Sequence, residues 1–380
     1  MPTFQNSNPI TIGISLSLSG GNQSDGVATK QGYQLWADTV NKQGGLLGRP
    51  VKLVILDDKS DPGIVGKNYE TLISTNHVDL VFGPFSTLMT KPASVVANSH
   101  GYAMVEGEGG GPTVFTRGLH NIFDVSLPVA SNLSTFALFI LSLPRAIRPK
   151  TAAYVTEDDP FTQPQIDLAK SLLEQGGVTT VYYKSYPTDT TKNYTPFADA
   201  VIQSNADVVI MGTLLPDASA FINRFRQKNY NPKAIVATAG PDLGSDFVKA
   251  VGGVAGTEGV FVPNGWYPEA NTFQNAQMVN DYIAQYGGTA DAINGDVAEA
   301  YSVGQVVQQA ATKIHSISNS ALMNELHSGA TYASVQGSVQ FDPTGKNTLA
   351  QSYLFQWQHG QFISVYPNFI ASENPEYPKQ

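Results

Sequence analysis

Ile10-Thr11-Ile12-Gly13-Ile14-Ser15-Leu16-Ser17-Leu18 is an apolar run of strand length that ends in Ser19-Gly20-Gly21. Behind it Tyr33, Trp36, Ala37 and Val40 recur at helical spacing until Gly44-Gly45 stops them,. Val51 to Leu56 is a second strand, leaving through Asp57-Asp58. A strand, a helix of about twenty residues and a second strand form a βαβ unit, which implies a parallel sheet.

The same rhythm runs outward from this unit. Asp61 caps a helix with Pro62 in its first turn. Val78 to Phe82 predicts a strand ending in Gly83-Pro84-Phe85-Ser86-Thr87, and a short helix near Pro92 to Ser99 leads to a strand over Tyr102 to Val105. The glycine-rich loop Gly107 to Gly111 follows. After Leu127-Pro128 the alternation restarts, with strands over Thr151–Val155, Val178–Tyr186, Asp207–Gly212, Ala234–Thr238 and Gly259–Val262, and helices between them. Two such runs predict two doubly wound α/β domains with helices on both sheet faces. The last third departs from this rhythm. Phe273–Tyr286 and Asp296–Ile314 read as helices, the second with Val297, Ala300, Tyr301, Gly304, Val307 and Ala311 on a narrow packing face. Val335–Phe341 reads as one strand, and Leu349–Trp357 with Gln361–Tyr366 as a hairpin turning at His359-Gly360,. Strands after long helices predict that the chain crosses back between domains.

Composition narrows the function. The 380 residues are 42% hydrophobic and only 14% charged, with a net charge of −9 and no cluster of Lys or Arg, which argues against a nucleic-acid partner,. Cysteine is absent, so disulfides, thiolate metal sites and cysteine nucleophiles are excluded,. The longest nearly unbroken apolar stretch, Phe136 to Leu143, is too short to cross a bilayer,. Met1 to Ser7 has neither a basic nor an apolar leader region, the expectation for a cytoplasmic protein or for an exported domain without its leader,.

The sequence carries no recognisable catalytic constellation. The six histidines, His77, His100, His120, His315, His327 and His359, show no metal-ligand spacing, so no metal and no cofactor is expected,. There is no G-x-S-x-G elbow,. Ser19 to Gly26 lies where a dinucleotide loop would, but Asn22 occupies the place of its second glycine, and Gly63 to Asn68 is too short for a P-loop,. An enzyme with two Rossmann-like domains would need one of these features. A binding protein needs only loops, and Ser19-Gly20, Gly83 to Thr87 and Glu106 to Gly111 all follow strand C-termini, the edge where open α/β sheets bind ligands,. Phe161 and Leu214-Leu215 follow strands of the second domain in the same way. Two such edges facing each other would make a cleft with polar donors on one wall and apolar cover on the other.

Asn41-Lys42-Gln43-Gly44-Gly45-Leu46-Leu47-Gly48-Arg49-Pro50, followed by Asp57-Asp58-Lys59-Ser60-Asp61-Pro62, resembles the type I periplasmic binding proteins of the Leu/Ile/Val-binding group. Leu18-Ser19-Gly20, Gly83 to Thr87 and Thr257-Glu258-Gly259-Val260 share the likeness, which covers roughly residues 10 to 365. The resemblance implies two doubly wound parallel-sheet lobes joined by a three-strand hinge. Lobe 1 would comprise residues 8–126 and 265–340, and lobe 2 residues 127–264 and 341–380, with crossings near Ser126–Pro128, Val262–Gly265 and Phe341–Thr344.

It also implies an extracytoplasmic, monomeric, non-enzymatic receptor that closes on a small solute and delivers it to the membrane subunits of an ABC permease, transport and sensing being indistinguishable in the sequence. The solute would be an amino acid or similar compound, with an aromatic or other small carboxylate or an amide as the alternative. Ser19, Phe85, Ser86, Thr87 and the backbone of Glu108, Gly109 and Gly110 would capture it, Phe161 and Leu214 would cover it, and Asp242 aligns with the carboxylate that pairs with an α-ammonium. Gly110 stands where relatives carry a Thr, and Glu108 would repel a ligand carboxylate but could pair with an amine together with Asp242 or Asp296. Glu106 and Glu108 have an alternative place facing solvent or bonding the loops that close the lobes. Trp266 and Tyr267 either line the cleft mouth or pack the hinge.

Overall fold

The computed structural model describes residues 8–379, so the expectation for Met1 to Ser7 lies outside the described residues. The chain opens with β1 (Ile10–Leu16), α1 (Gln23–Lys42), β2 (Val51–Asp57), α2 (Pro62–Glu70), β3 (Leu80–Phe82), α3 (Thr87–Ser99), β4 (Met104–Glu106), α4 (Pro112–Phe115) and β5 (Ile122–Asp124). It continues with α5 (Ser134–Ser142), β6 (Thr151–Glu157), α6 (Thr162–Gln175), β7 (Thr179–Tyr186), α7 (Thr195–Ser204), β8 (Val208–Gly212), α8 (Leu215–Gln227), β9 (Ala234–Ala237), α9 (Gly244–Ala250) and β10 (Val260–Asn264). The last third holds α10 (Asn275–Tyr286), α11 (Gly295–Ile314), α12 (Asn319–Leu326), the hairpin β11 (Thr331–Ser334) and β12 (Gly337–Gln340), then β13 (Tyr353–Gln358) and β14 (Gln361–Tyr366).

These elements form two compact units: residues up to Pro128 with Pro268–Ala350, and Val129–Tyr267 with the chain from Gln351 onward. The first contains a five-stranded sheet in the order β2-β1-β3-β4-β5, parallel throughout. Its two faces are covered by different helices. Val81, Met104 and Ile122 pack with residues of α2, α3 and α4, while Phe82, one residue on, turns to Tyr33 and Trp36 of α1 with ring centroids 5.3 and 5.5 Å away,. Helices α1 and α11 approach closely because glycine stands at the crossing. A Cβ on Gly304 would lie 2.1 Å from the Trp36 ring, and one on Gly32 would lie 2.3 Å from the Val297 carbonyl oxygen. The face predicted for α11 is buried.

The second unit contains a seven-stranded sheet in the order β14-β13-β10-β9-β8-β6-β7. Its strands are parallel except for the antiparallel pairs made by β13 and β14. Alternation divides its core in two. Ala152, Tyr154, Val208 and Ile210 face α5 and α6, whereas Ala153, Val155, Val209 and Met211 face α7, α8 and α9. The final hairpin turns at His359 and Gly360, both at positive φ (52° and 77°), the requirement of the tight two-residue turn read from the sequence,.

Four readings need correction. Helix α3 begins at Thr87 rather than near Pro92, so Pro92 lies inside it and the Thr90 N–H already bonds the Ser86 carbonyl at 2.8 Å. The strand expected over Val335–Phe341 is the second half of a hairpin, whose turn is held by Ser334: its hydroxyl donates to the Gly337 carbonyl at 2.9 Å and accepts from the Gln336 N–H at 3.2 Å. Residues 341–350, assigned above to lobe 2, belong to the first unit. They run beside β5: the Asp124 N–H bonds the Gly345 carbonyl at 2.8 Å, and Asn347 Nδ2 donates to the Val125 carbonyl at 2.7 Å. Gly265 to Tyr267 likewise stay with the second unit, where Trp266 is buried and the Tyr267 ring meets Tyr353 edge-on at 5.1 Å.

The motif residues behind the family resemblance act in the scaffold. Asn41 both accepts from the Val51 N–H (2.7 Å) and donates to its carbonyl (2.9 Å), fastening the end of α1 to the start of β2. Asp58 is fully buried and accepts from Ser15 Oγ at 3.0 Å, Ser17 Oγ at 2.7 Å and the Ser60 N–H at 3.0 Å. Asp61 caps α2 through the Gly63 N–H at 2.7 Å.

Candidate functional site

Because β1 to β5 are parallel, their C-terminal ends lie on one edge of the first sheet, and the loops after them collect there,. Ser19 leaves β1 with its hydroxyl donated to Asp57 Oδ2 at 2.7 Å. Phe85 and Ser86 are buried after β3, and Thr87, fully buried, begins α3 and accepts from the Gly111 N–H at 3.2 Å through its hydroxyl.

The loop after β4 brings buried acids to this edge. Glu106 ends β4 and accepts from the Gly109 N–H through Oε2, while Oε1 is buried without a hydrogen-bond partner. Burial pushes its carboxyl up to about 8,. Glu108 accepts from Thr29 Oγ1 at 3.0 Å through Oε1, and its Oε2 has no partner. Burial, reinforced by the negative charges of Asp296 and Glu299, raises it well above the usual carboxylate range. Asp124 ends β5 and accepts from the Ser126 N–H at 2.8 Å, with Oδ2 unpartnered. Its carboxyl is also raised, by burial first and then by the charge of Glu106.

The glycines of this loop are set by those neighbours. A Cβ on Gly109 would stand 2.3 Å from Thr90 Oγ1, and one on Gly110 the same distance from Asp124 Oδ2.

The second unit repeats the arrangement at its own C-terminal edge. Glu157 ends β6 with its carboxyl pushed up to about 9 by burial and by the neighbouring charges of Asp217 and Asp159, and its Oε2 is unpartnered. Asp217, near the start of α8, accepts from the Leu214 N–H at 2.8 Å and from the Tyr186 hydroxyl, and burial raises it to about 7. Phe161 and Leu214 are half-buried beside these acids in sequence, and the Phe161 N–H bonds Asp159 Oδ1 at 2.7 Å. Asp242 follows β9, accepts from the Gly240 N–H at 2.7 Å, and is raised by burial to about 6. Buried carboxylate oxygens that accept nothing are costly unless protonated or met by a donor. These edges are therefore suited to a guest that brings N–H groups or positive charge.

The family model described as "Periplasmic binding protein" matches residues 9–361. The chain belongs to this periplasmic binding protein family. The Leu/Ile/Val-binding protein homolog 3 of Brucella melitensis is 23% identical over 359 residues, covering 94% of this chain and 93% of the relative. The Leu/Ile/Val-binding protein BraC3 of Rhizobium johnstonii is 24% identical and covers 94% of each. Among solved structures, the branched-chain amino acid transporter substrate binding protein LivJ of Streptococcus pneumoniae, in complex with isoleucine, superposes with a TM-score of 0.81 at 17% identity, covering 95% of this chain and 100% of that one. An ABC transporter solute binding protein of R. palustris in complex with benzoate gives 0.79 at 17% identity, with 94% and 96% covered.

In this periplasmic binding protein, Phe85, Ser86, Thr87 and Glu108 to Gly110 share one edge of the first unit, and Asp296, at the start of α11, brings a carboxylate oxygen within 4.8 Å of one from Glu108. Ser19 is on the same edge, but its hydroxyl is directed to Asp57. Phe161, Leu214 and Asp242 share the corresponding edge of the second unit. The solvent-facing alternative for Glu106 and Glu108 is overturned, since they are 0% and 8% exposed. Asp124, Glu157, Asp217 and Glu299 were missed. An acidic residue closing an apolar strand, as Asp124 and Glu157 do, was the available signal; Asp217 and Glu299 sit on helices where acids are commonplace.

Proposed function

We propose that this protein is the solute-binding receptor of an ABC importer, acting outside the cytoplasm and without catalysing a reaction. It captures a small amino acid or amino-acid-like solute and presents it to the permease subunits. Membership of a family of solute-binding receptors supports this, as does the naming of its relatives for leucine, isoleucine and valine. The observation that carries the reading is the pair of buried polar loops, Phe85–Thr87 and Glu106–Gly111, on the C-terminal edge of the first sheet. Ser19, Ser86, Thr87 and the backbone of Glu108 to Gly110 hold the solute, Phe161 and Leu214 cover it, and Asp242 takes its ammonium. Hinge closure follows, stabilised by contacts present only with solute bound.

The benzoate complex of a structural neighbour favours a second reading, a small aromatic carboxylate. In their ionised forms Glu106, Glu108 and Asp124, each with a buried oxygen lacking a partner, repel a carboxylate placed near them,. Calorimetry on protein freed of solute by unfolding and refolding, against amino acids, amides and aromatic acids, tests both readings. Saturable binding of an amino acid with compaction in solution scattering is expected. A panel with no binder and no compaction refutes the receptor reading, and binding confined to aromatic acids establishes the second.

A further inference from the structure

We propose that Glu108, Asp296 and Glu299 form a binding site for a divalent metal ion of the calcium type within the first unit. Each offers one carboxylate oxygen, and these oxygens lie within 4.8 Å of one another. Calcium binds oxygen ligands at about 2.4 Å, and oxygens this near one another leave a point no more than about 2.8 Å from all three, within reach after small side-chain adjustments,. Asp296 and Glu299 are three residues apart on α11 and therefore share a face,. Glu108 enters from the loop after β4.

The independent observation is Glu108 itself. It is 8% exposed, and its Oε2 accepts no hydrogen bond. The other oxygen is fixed by the Thr29 hydroxyl at 3.0 Å, the kind of outer partner that orients a carboxylate ligand toward a metal,. Asp296 is oriented in turn by Asn294, whose Nδ2 donates to its Oδ2 at 3.1 Å. The negative charges of Asp296, Glu299 and Asp25 all act on Glu108, and a cation among these carboxylates favours its ionised, metal-binding form,. A divalent ion compensates this charge better than a single ammonium. All the ligands are oxygens, which selects a hard cation, and half-buried Asp296 and Glu299 leave water access to complete its coordination,. The site uses no histidine or cysteine, which is why histidine spacing gave no sign of it.

The test is calorimetry and thermal unfolding of chelator-dialysed full-length protein with calcium, magnesium and manganese chlorides up to about 10 mM, a range that includes weak extracellular calcium sites. Saturation by one ion per chain with a rise in Tm is expected, calcium binding more tightly than magnesium. In E108Q and E299Q the affinity falls at least about tenfold. E299Q keeps the size of this half-buried side chain, and its Tm in chelator, measured alongside, separates lost binding from lost folding. No saturable binding of any of the three ions overturns the proposal, as does undiminished binding in both variants. Stabilisation by methylammonium but by none of the metals also overturns it, and assigns the cluster to the solute's amine.

Discussion

Gly110 lies so close to Asp124 that a Cβ added to it would stand 2.3 Å from the carboxylate Oδ2. The position at which the family resemblance implies a threonine is thus closed to any side chain by an acid at the end of the neighbouring strand. Gly110→Ala is expected to cost about 1–3 kcal/mol of stability, the usual effect of overpacking. Urea unfolding of Gly110→Ala, Asp124→Ala and the double variant checks this. Removing the carboxylate makes room for the methyl, so the double variant should be more stable than the sum of the singles requires. Strict additivity contradicts the contact.

Asp58→Ala removes the acceptor shared by Ser15, Ser17 and the Ser60 N–H. Leaving two buried hydroxyls and the half-buried Ser60 N–H without their acceptor should cost about 2–4 kcal/mol, with Tm lowered by several degrees,. A Tm within a degree of the parent would show that water replaces the carboxylate.

Stability should also fall with rising pH through the second unit's acids. Glu157 and Asp217, raised by burial to about 9 and about 7 from ordinary values of 4.5 and 3.8, hold protons in the folded state that the unfolded chain releases. Folding therefore binds protons across this window, so their stabilising effect is complete below about pH 4 and is lost as pH rises through 7 and then 9. Glu157→Gln should flatten the upper part of the curve and raise Tm at pH 8 by several degrees, equivalent to about 2 kcal/mol. Calorimetric scans from pH 5 to pH 9 decide it; parallel curves for the two proteins would mean that Glu157 ionises freely.

Phe161→Ala is expected to weaken solute binding at least about tenfold, in line with loss of a buried aromatic contact. Phe161 is half-buried and engages Asp159 through its backbone, so Tm should change by less than a few degrees. Unchanged affinity for the solute found in the panel would remove Phe161 from the site.

The fold was legible because period and punctuation agree along most of the chain. Tyr33, Trp36, Ala37 and Val40 mark α1 at helical spacing, and His359-Gly360 fits only a tight turn. Legibility failed where a residue carried two meanings. Pro92 reads as a helix start, yet α3 already runs through it from Thr87. The exchange at residues 341–350 depends on Asn347 bonding Val125, a contact between distant segments that no local pattern shows. The loops of the proposed site were legible through their glycines and their places after strands. Their charge was not legible: the burial of Glu106 and the crowding of Glu108 by Glu299 come from the packing of α11 on the sheet edge.

Asp58, with its three donors, joins the first two strands, and Asn41 ties the helix between them. The residues that make this chain easiest to identify as a family member are thus its joinery, remote in purpose from whatever it carries. A fingerprint drawn from them detects the chassis and is blind to the cargo. Sorting such receptors by ligand calls for reading the short segment that begins at the end of the fourth strand, where Glu106 and Glu108 stand and Gly110 takes the place of an expected threonine.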